Sequence, residues 1–154
     1  YNQNGLPWKE VLKVKKAKGS VINFLNSEKL SNDRIFTLPV DVLIPAALPD
    51  VINASNADQV QASVIVEGAN IAVTVEAETK LLARGILVVP DIIANAGGVI
   101  SSYAEYRGYP TEKMFKLVKQ KITKSVTAVL AESKKTGHSP RVVAMALAKK
   151  RLER

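Results

Sequence analysis

Cysteine is absent from the 154 residues, which excludes disulfides and thiolate metal sites. Histidine occurs once, at His138, which argues against a cluster of imidazole metal ligands or a Ser-His pair on this chain. Aromatic residues make up 5% of the chain, too few for a stacking surface that would hold single-stranded nucleic acid. No apolar run approaches the roughly 20 residues that a bilayer-spanning helix needs, and no secretory pattern is visible. The expectation is a cytoplasmic protein. Its length and a hydrophobic content of 47% suffice for a real core.

Charge is placed unevenly. The net charge is +8, and residues 113–154 hold 12 Lys and Arg against two acids, Glu132 and Glu153. Such a segment is either a polyanion-binding tail or the solvated face of a helix pair. With so few aromatics beside it, nucleic-acid binding is not expected.

Along the chain, helix and strand patterns alternate. Residues 7–18 read as an amphipathic helix closed by Gly19. Strands are expected at 40–44, 64–66 and 86–89, with short helical stretches at 56–62 and, capped by Thr74, up to Arg84 and Gly85. Residues 111–135 form a long helix with an apolar stripe from Met114 to Leu130. Ser139-Pro140 is an N-cap followed by proline at the first helical position, opening a last helix. Continuous apolar strands between helices indicate a parallel sheet covered on both faces, an α/β fold. Each strand ends in small or polar residues: Pro45-Ala46-Ala47, Gly68-Ala69-Asn70 and Asn95-Ala96-Gly97-Gly98. On adjacent parallel strands these ends would line one binding rim.

The third end is the most informative. After the strand and Pro90-Asp91 come Asn95, Gly97-Gly98 and residues 99–106, which can be helical. Paired glycines admit a ligand close to the backbone, and a following helix start favours an anion. The same spacing also suits an ordinary glycine-containing loop without a ligand.

These segments carry a resemblance. Leu38-Pro-Val-Asp-Val-Leu-Ile-Pro-Ala-Ala-Leu48, Val66-Glu-Gly-Ala-Asn70 and Val88-Val-Pro-Asp-Ile-Ile-Ala-Asn-Ala-Gly-Gly-Val99 resemble glutamate dehydrogenase and its leucine, phenylalanine and valine relatives. The opening Tyr1-Asn-Gln-Asn-Gly-Leu6 and Gly19-Ser-Val-Ile-Asn-Phe24 are similar too, so the likeness runs in register over nearly the whole chain. It covers only the C-terminal part of such an enzyme. The implied fold is a partial Rossmann-like parallel sheet with flanking helices, residues 1–110, followed by a basic C-terminal helical pair, residues 111–154.

The resemblance implies a partial site for NAD or NADP and one wall of a pocket for L-glutamate or 2-oxoglutarate. Ala46 and Ala47 match strand-end alanines that lie along the dinucleotide, and Asn70 the asparagine beside the nicotinamide ribose. Asn95 matches the one near the nicotinamide carboxamide, and Gly97 and Gly98 keep the turn close to the pocket. Val99 matches an apolar substrate contact, and Ser102 a hydroxyl that helps bind the side-chain carboxylate of glutamate. Relatives with apolar substrates usually have an apolar residue there, so Ser102 favours glutamate; its other reading is a helix-surface serine.

In such enzymes the Gly-x-Gly-x-x-Gly turn and the catalytic Lys and Asp precede the matching segment; neither motif occurs here. The implication is a dehydrogenase segment, inactive alone and with no catalytic residue of its own; Glu67, Asp91 and Glu105 read as strand-end or helix-surface acids. The alternative is a stand-alone, non-catalytic relative acting in binding or assembly. Departures from the family pattern motivate it: Asn70-Ile-Ala-Val-Thr-Val-Glu-Ala77 replaces Asn-Gly-Pro-Thr-Thr-Pro-Glu-Ala, and Ala104 and Tyr106 stand where Phe and Trp are common. In either case the stripe from Met114 to Leu130 and the apolar side of Val142, Val143 and Leu147 are expected to be exposed, implying self-association or a partner chain.

Overall fold

The computed structural model describes residues 1–153, which divide into two compact units, 1–35 and 36–153. In the first unit, α1 (Trp8–Lys18) ends at Gly19, whose left-handed conformation lets its N–H donate to the Lys15 carbonyl at 2.9 Å. A 3₁₀ turn (Val21–Asn23), capped by the Ser20 hydroxyl, and the short α2 (Asn32–Ile35) complete it. Phe24 is the one buried residue among those described in this unit.

The second unit is built on a parallel sheet of β1 (Val42–Leu43), β2 (Val64–Val66) and β3 (Leu87–Val89), in that order. Leu43, Ile65 and Val88 lie in register across it. Their side chains point to one face, where Ile52, Val60, Val73, Ala77 and Leu81 pack against them. The alternate residues Val64, Val66, Leu87 and Val89 face the other way, toward Ile93, Val129, Val143 and Ala144. Both faces are therefore covered, as continuous apolar strands require.

Helix α3 (Val75–Ala83) follows β2, capped by the Thr74 hydroxyl, which accepts from Ala77 N. After β3 comes a one-turn α4 (Asp91–Ala94), then α5 (Gly97–Tyr106), α6 (Thr111–Thr136) and α7 (Pro140–Leu152). Ser139 caps α7 by accepting from Val142 N. No helix of the described residues is long and apolar enough to cross a membrane.

Three expectations need correction. The first strand is only Val42–Leu43, the two residues that pair with Val64 and Ile65 of β2. The 56–62 stretch is a single 3₁₀ turn, Ala57–Gln59. Gly97-Gly98 is not a loop but the first turn of α5, since α4 and the Asn95-Ala96 joint make the change of direction. The α6 stripe is also largely occupied. Val129 and Val143 are buried, Met114, Leu117, Ile122, Val126 and Leu147 half-buried, and Phe115 and Val142 remain exposed.

Candidate functional site

The carboxyl ends of the three strands form one rim, held together by backbone and side-chain hydrogen bonds. Gly68 N and Ala69 N both donate to the Pro45 carbonyl, at 3.0 and 2.9 Å, closing the β2 end onto the β1 end. The approach is tight. A Cβ on Gly68 would lie 2.9 Å from Ala46 Cβ, so glycine and a small neighbour are both required. Ala46 and Ala47 are exposed, and neither carries a side chain beyond Cβ. The result is a flat, open strand end beside a close backbone.

The β2 and β3 ends are tied by an amide pair. Asn95 Nδ2 donates to Asn70 Oδ1 at 2.5 Å, although the residues lie 25 apart in sequence. Asn70 is exposed and Asn95 half-buried, so amide groups of both border the rim. Beside them Ile71 adopts a left-handed conformation, φ 51°, rare for a β-branched residue. Its N–H donates to Asp91 Oδ2 at 2.9 Å and its carbonyl accepts from Asp50 N at 2.8 Å. Asp50 is also left-handed, at φ 54°.

Below the amides lies a charge cluster that sequence reasoning missed. Glu67 is the strand-end acid that the sequence suggests, directly after β2, and it is fully buried. Arg141, from the first turn of α7, donates through Nη2 to Glu67, through Nε to Glu78 and through Nη1 to Asp91 Oδ1 at 2.9 Å. Glu67 also accepts from Val73 N at 2.8 Å and from Asp91 N at 3.0 Å, so its carboxylate does not depend on the guanidinium alone. Burial pushes the Asp91 carboxyl up, but the Ile71 N–H, Arg141 and the Ile92 N–H outweigh burial and hold it below its ordinary value. For Arg141, burial opposes the charge, yet Glu78, Glu67 and Asp91 raise the guanidinium above its ordinary value. One sequence signal pointed here. Glu78 lies on the face of α3 that buries Ala77 and Leu81, and an inward carboxylate needs a cationic partner.

The other sequence-derived residues lie on α5. Val99 is exposed in its first turn, and Ser102 is exposed one turn further on. The Ser102 hydroxyl donates to the Gly98 carbonyl at 3.1 Å, a bond within the helix. A Cβ on Gly97 would meet Val118 of α6 at 3.4 Å, whereas Gly98 faces open space, so Gly97 serves helix packing and Gly98 stays accessible. A groove of about 500 Å³ between α4, α6 and α7, floored by Ile93, Val129 and Leu147, includes none of the residues just placed.

A parallel sheet covered on both faces, with glycine and small residues at its carboxyl edge, defines part of a Rossmann-like, dehydrogenase-type α/β domain. The particular family is shown by sequence: the model for Glutamate/Leucine/Phenylalanine/Valine dehydrogenase matches residues 1–154, and the chain belongs to this family. It is 43% identical over 136 residues to a glutamate dehydrogenase of Aeropyrum pernix, covering 84% of this chain and 32% of that protein. It is 38% identical to an NADP-specific glutamate dehydrogenase of Saccharolobus shibatae, covering 99% of this chain and 38% of that one.

The fold superposes on hetero-hexameric glutamate dehydrogenase from Thermus thermophilus, solved in a leucine-bound form, with a TM-score of 0.85 at 34% identity. That match covers 99% of this chain and 37% of the other. L-tryptophan dehydrogenase from Nostoc punctiforme matches with a TM-score of 0.75 at 32% identity, covering 94% and 41%. The chain therefore spans between about a third and two fifths of the length of these relatives. All four are amino-acid dehydrogenases, which does not favour a stand-alone, non-catalytic protein.

Proposed function

We propose that this chain is the part of an NAD(P)-dependent glutamate dehydrogenase that forms one wall of the cofactor site and one wall of the substrate pocket. The complete reaction would be oxidative deamination of L-glutamate to 2-oxoglutarate and ammonia. The observation that carries this reading is the rim: exposed Ala46 and Ala47, Gly68 at close backbone approach, and the Asn70–Asn95 amide pair on adjacent strand ends.

The residues present fit a dinucleotide. Ala46 and Ala47 leave the strand end free of side-chain bulk, and the amides of Asn70 and Asn95 can exchange hydrogen bonds with a ribose and a carboxamide. When bound, NAD or NADP supplies the hydride acceptor of the oxidation. The chain's own residues bind and orient. Asn95 would fix which nicotinamide face meets the substrate, Val99 would contact the carbon chain of glutamate, and Ser102 its side-chain carboxylate. General acid–base chemistry would come from groups outside this chain, so alone it should hold but not turn over substrate. Residues 1–110 would carry the cofactor wall, with the basic helices of 111–154 packed beside it. Assembly with further copies or partner chains would follow the hetero-hexameric Thermus thermophilus relative.

A chimaera tests this reading. The chain replaces the matching segment of the Saccharolobus shibatae enzyme, and reduction of NADP with glutamate is followed. Activity in the chimaera and none from the isolated chain supports the proposal. A folded but inactive chimaera overturns it.

A further inference from the structure

The charge cluster on Arg141 has no part in the function proposed above, yet two of its three carboxylates are built into the rim. Glu67 directly follows β2 and takes both Val73 N and Asp91 N, tying the turn after β2 to the start of α4. Asp91 takes Ile71 N with one oxygen and Arg141 Nη1 with the other. Asn70 precedes Ile71, and Asn95 caps the carboxyl end of the turn that Asp91 opens. Asn70 is thus linked to the Asp91 carboxylate through one hydrogen bond from the next residue, and Asn95 lies one helical turn from Asp91 in the chain.

We propose that Arg141 is a positioning residue for the rim: by gripping Glu67 and Asp91 together it sets the Asn70–Asn95 amide pair in the orientation that receives the nicotinamide end of the dinucleotide. The proposal rests on the cofactor reading of the rim. Three donors of one rigid, planar group address three carboxylates from three elements, a task that the single ammonium of lysine cannot repeat. Arg141 lies 71 residues from Asn70 and 46 from Asn95. α7 therefore meets the rim through these ion pairs and through the packing of Val143 and Ala144 against Val89 and Ile93, not through neighbouring sequence.

Glu78 supplies an internal control. It binds the same guanidinium and is as buried as a core residue, but it belongs to α3 and makes no hydrogen bond to the rim. Loss of Asp91 removes a direct acceptor of Ile71 N as well as a partner of Arg141, so Arg141→Met reports on the guanidinium itself, and Glu78→Gln on the loss of a partner that lies off the rim.

The test uses Arg141→Met, Asp91→Asn and Glu78→Gln in the whole chain. Asp91→Asn keeps an acceptor for Ile71 N while turning an amide N–H₂ toward Arg141, so it cuts the relay at its partly exposed end. The first readout is the pair of side-chain amide resonances of Asn70 and Asn95. Both shift in Arg141→Met and Asp91→Asn and stay in place in Glu78→Gln, even where Glu78→Gln melts earlier. The second readout is titration with nicotinamide mononucleotide. Affinity falls about tenfold in the first two variants, the scale known for outer groups that orient metal ligands, and is kept in Glu78→Gln.

Unmoved amides in folded Arg141→Met, or equal movement in Glu78→Gln, overturn the proposal. Should Arg141→Met fail to fold, Arg141→Lys decides, because it keeps the charge but cannot hold three carboxylates at once: shifted amides support the proposal and unmoved amides overturn it. If the nucleotide leaves the wild-type rim unperturbed, the cofactor reading fails separately, while the amide resonances still report on Arg141.

Discussion

The backbone N–H of Ile71 donates to Asp91 Oδ2 across 2.9 Å, and this bond holds a β-branched residue at φ 51°. Ile71 is 57% exposed, so little packing repays its conformation. Ile71→Gly should therefore stabilise the chain by about 1 kcal/mol, strain relief exceeding the entropy that glycine costs. Urea unfolding measures it, and a less stable variant would show that the Ile71 side chain has a packing role.

Gly68→Ala is expected to do the opposite. Its Cβ would stand 2.9 Å from Ala46 Cβ and 3.3 Å from Ala46 Cα, where backbone must yield. The cost should be about 1–3 kcal/mol, read as a lower Tm. Ala46→Gly in the same chain should recover part of it, and strict additivity of the two changes would contradict the close approach.

Breaking the buried ion cluster should cost more. Glu67 is 0% exposed, and Glu67→Gln would leave Arg141 short of a charge partner and set an amide donor against an existing donor. A loss of about 3–5 kcal/mol is expected from denaturant unfolding, the scale for removing one member of a buried pair. A loss below about 1 kcal/mol would mean that the backbone N–H groups, not Arg141, satisfy this carboxylate.

The Asp91 carboxyl sits below its ordinary value of 3.8 when folded. The folded state thus binds this proton less tightly than the unfolded one. The stability Asp91 contributes is complete above that ordinary value and drains away as pH falls through the lower folded value. Asp91→Asn should lower stability at neutral pH and flatten the acid side of the stability–pH curve. Unfolding midpoints at stepped pH check both; an unchanged acid slope assigns the fall to other carboxylates.

Ser102→Val in the chimaera should lower kcat/KM for glutamate roughly 10- to 100-fold, the loss of one hydrogen bond to a charged group, and improve apolar amino acids relative to it. Equal loss for both substrate types would place Ser102 outside the substrate wall, in its other role on the α5 surface.

Elements with local causes were legible in the chain. Gly19 ends α1 in the left-handed conformation, and the Thr74 and Ser139 hydroxyls cap α3 and α7. All three signals lie within a turn of the structure they control. The apolar runs at β2 and β3 also read correctly, because period-2 burial on both faces needs only the strand itself. The length of β1 was overestimated because a strand ends where its pairing with a neighbour ends, here at Val42 and Leu43, and residues 40–44 carry no mark of that.

The candidate rim divides the same way. Small and polar residues at three strand ends were visible in sequence, since each end is a local cluster. Their meeting was not: Asn70 finds Asn95 25 residues away, and Arg141 finds Glu67 74 residues away. In the sequence, Arg141 is one base in a basic segment and Glu67 one acid after a strand. Only the tertiary fold makes them partners, because a buried carboxylate must be met by whatever cation the packing of α7 on the sheet brings within reach. The sequence by itself determined the elements, their caps and the family. The tertiary structure decided which charges are buried, which glycine packs against a helix, and which two amides share the rim.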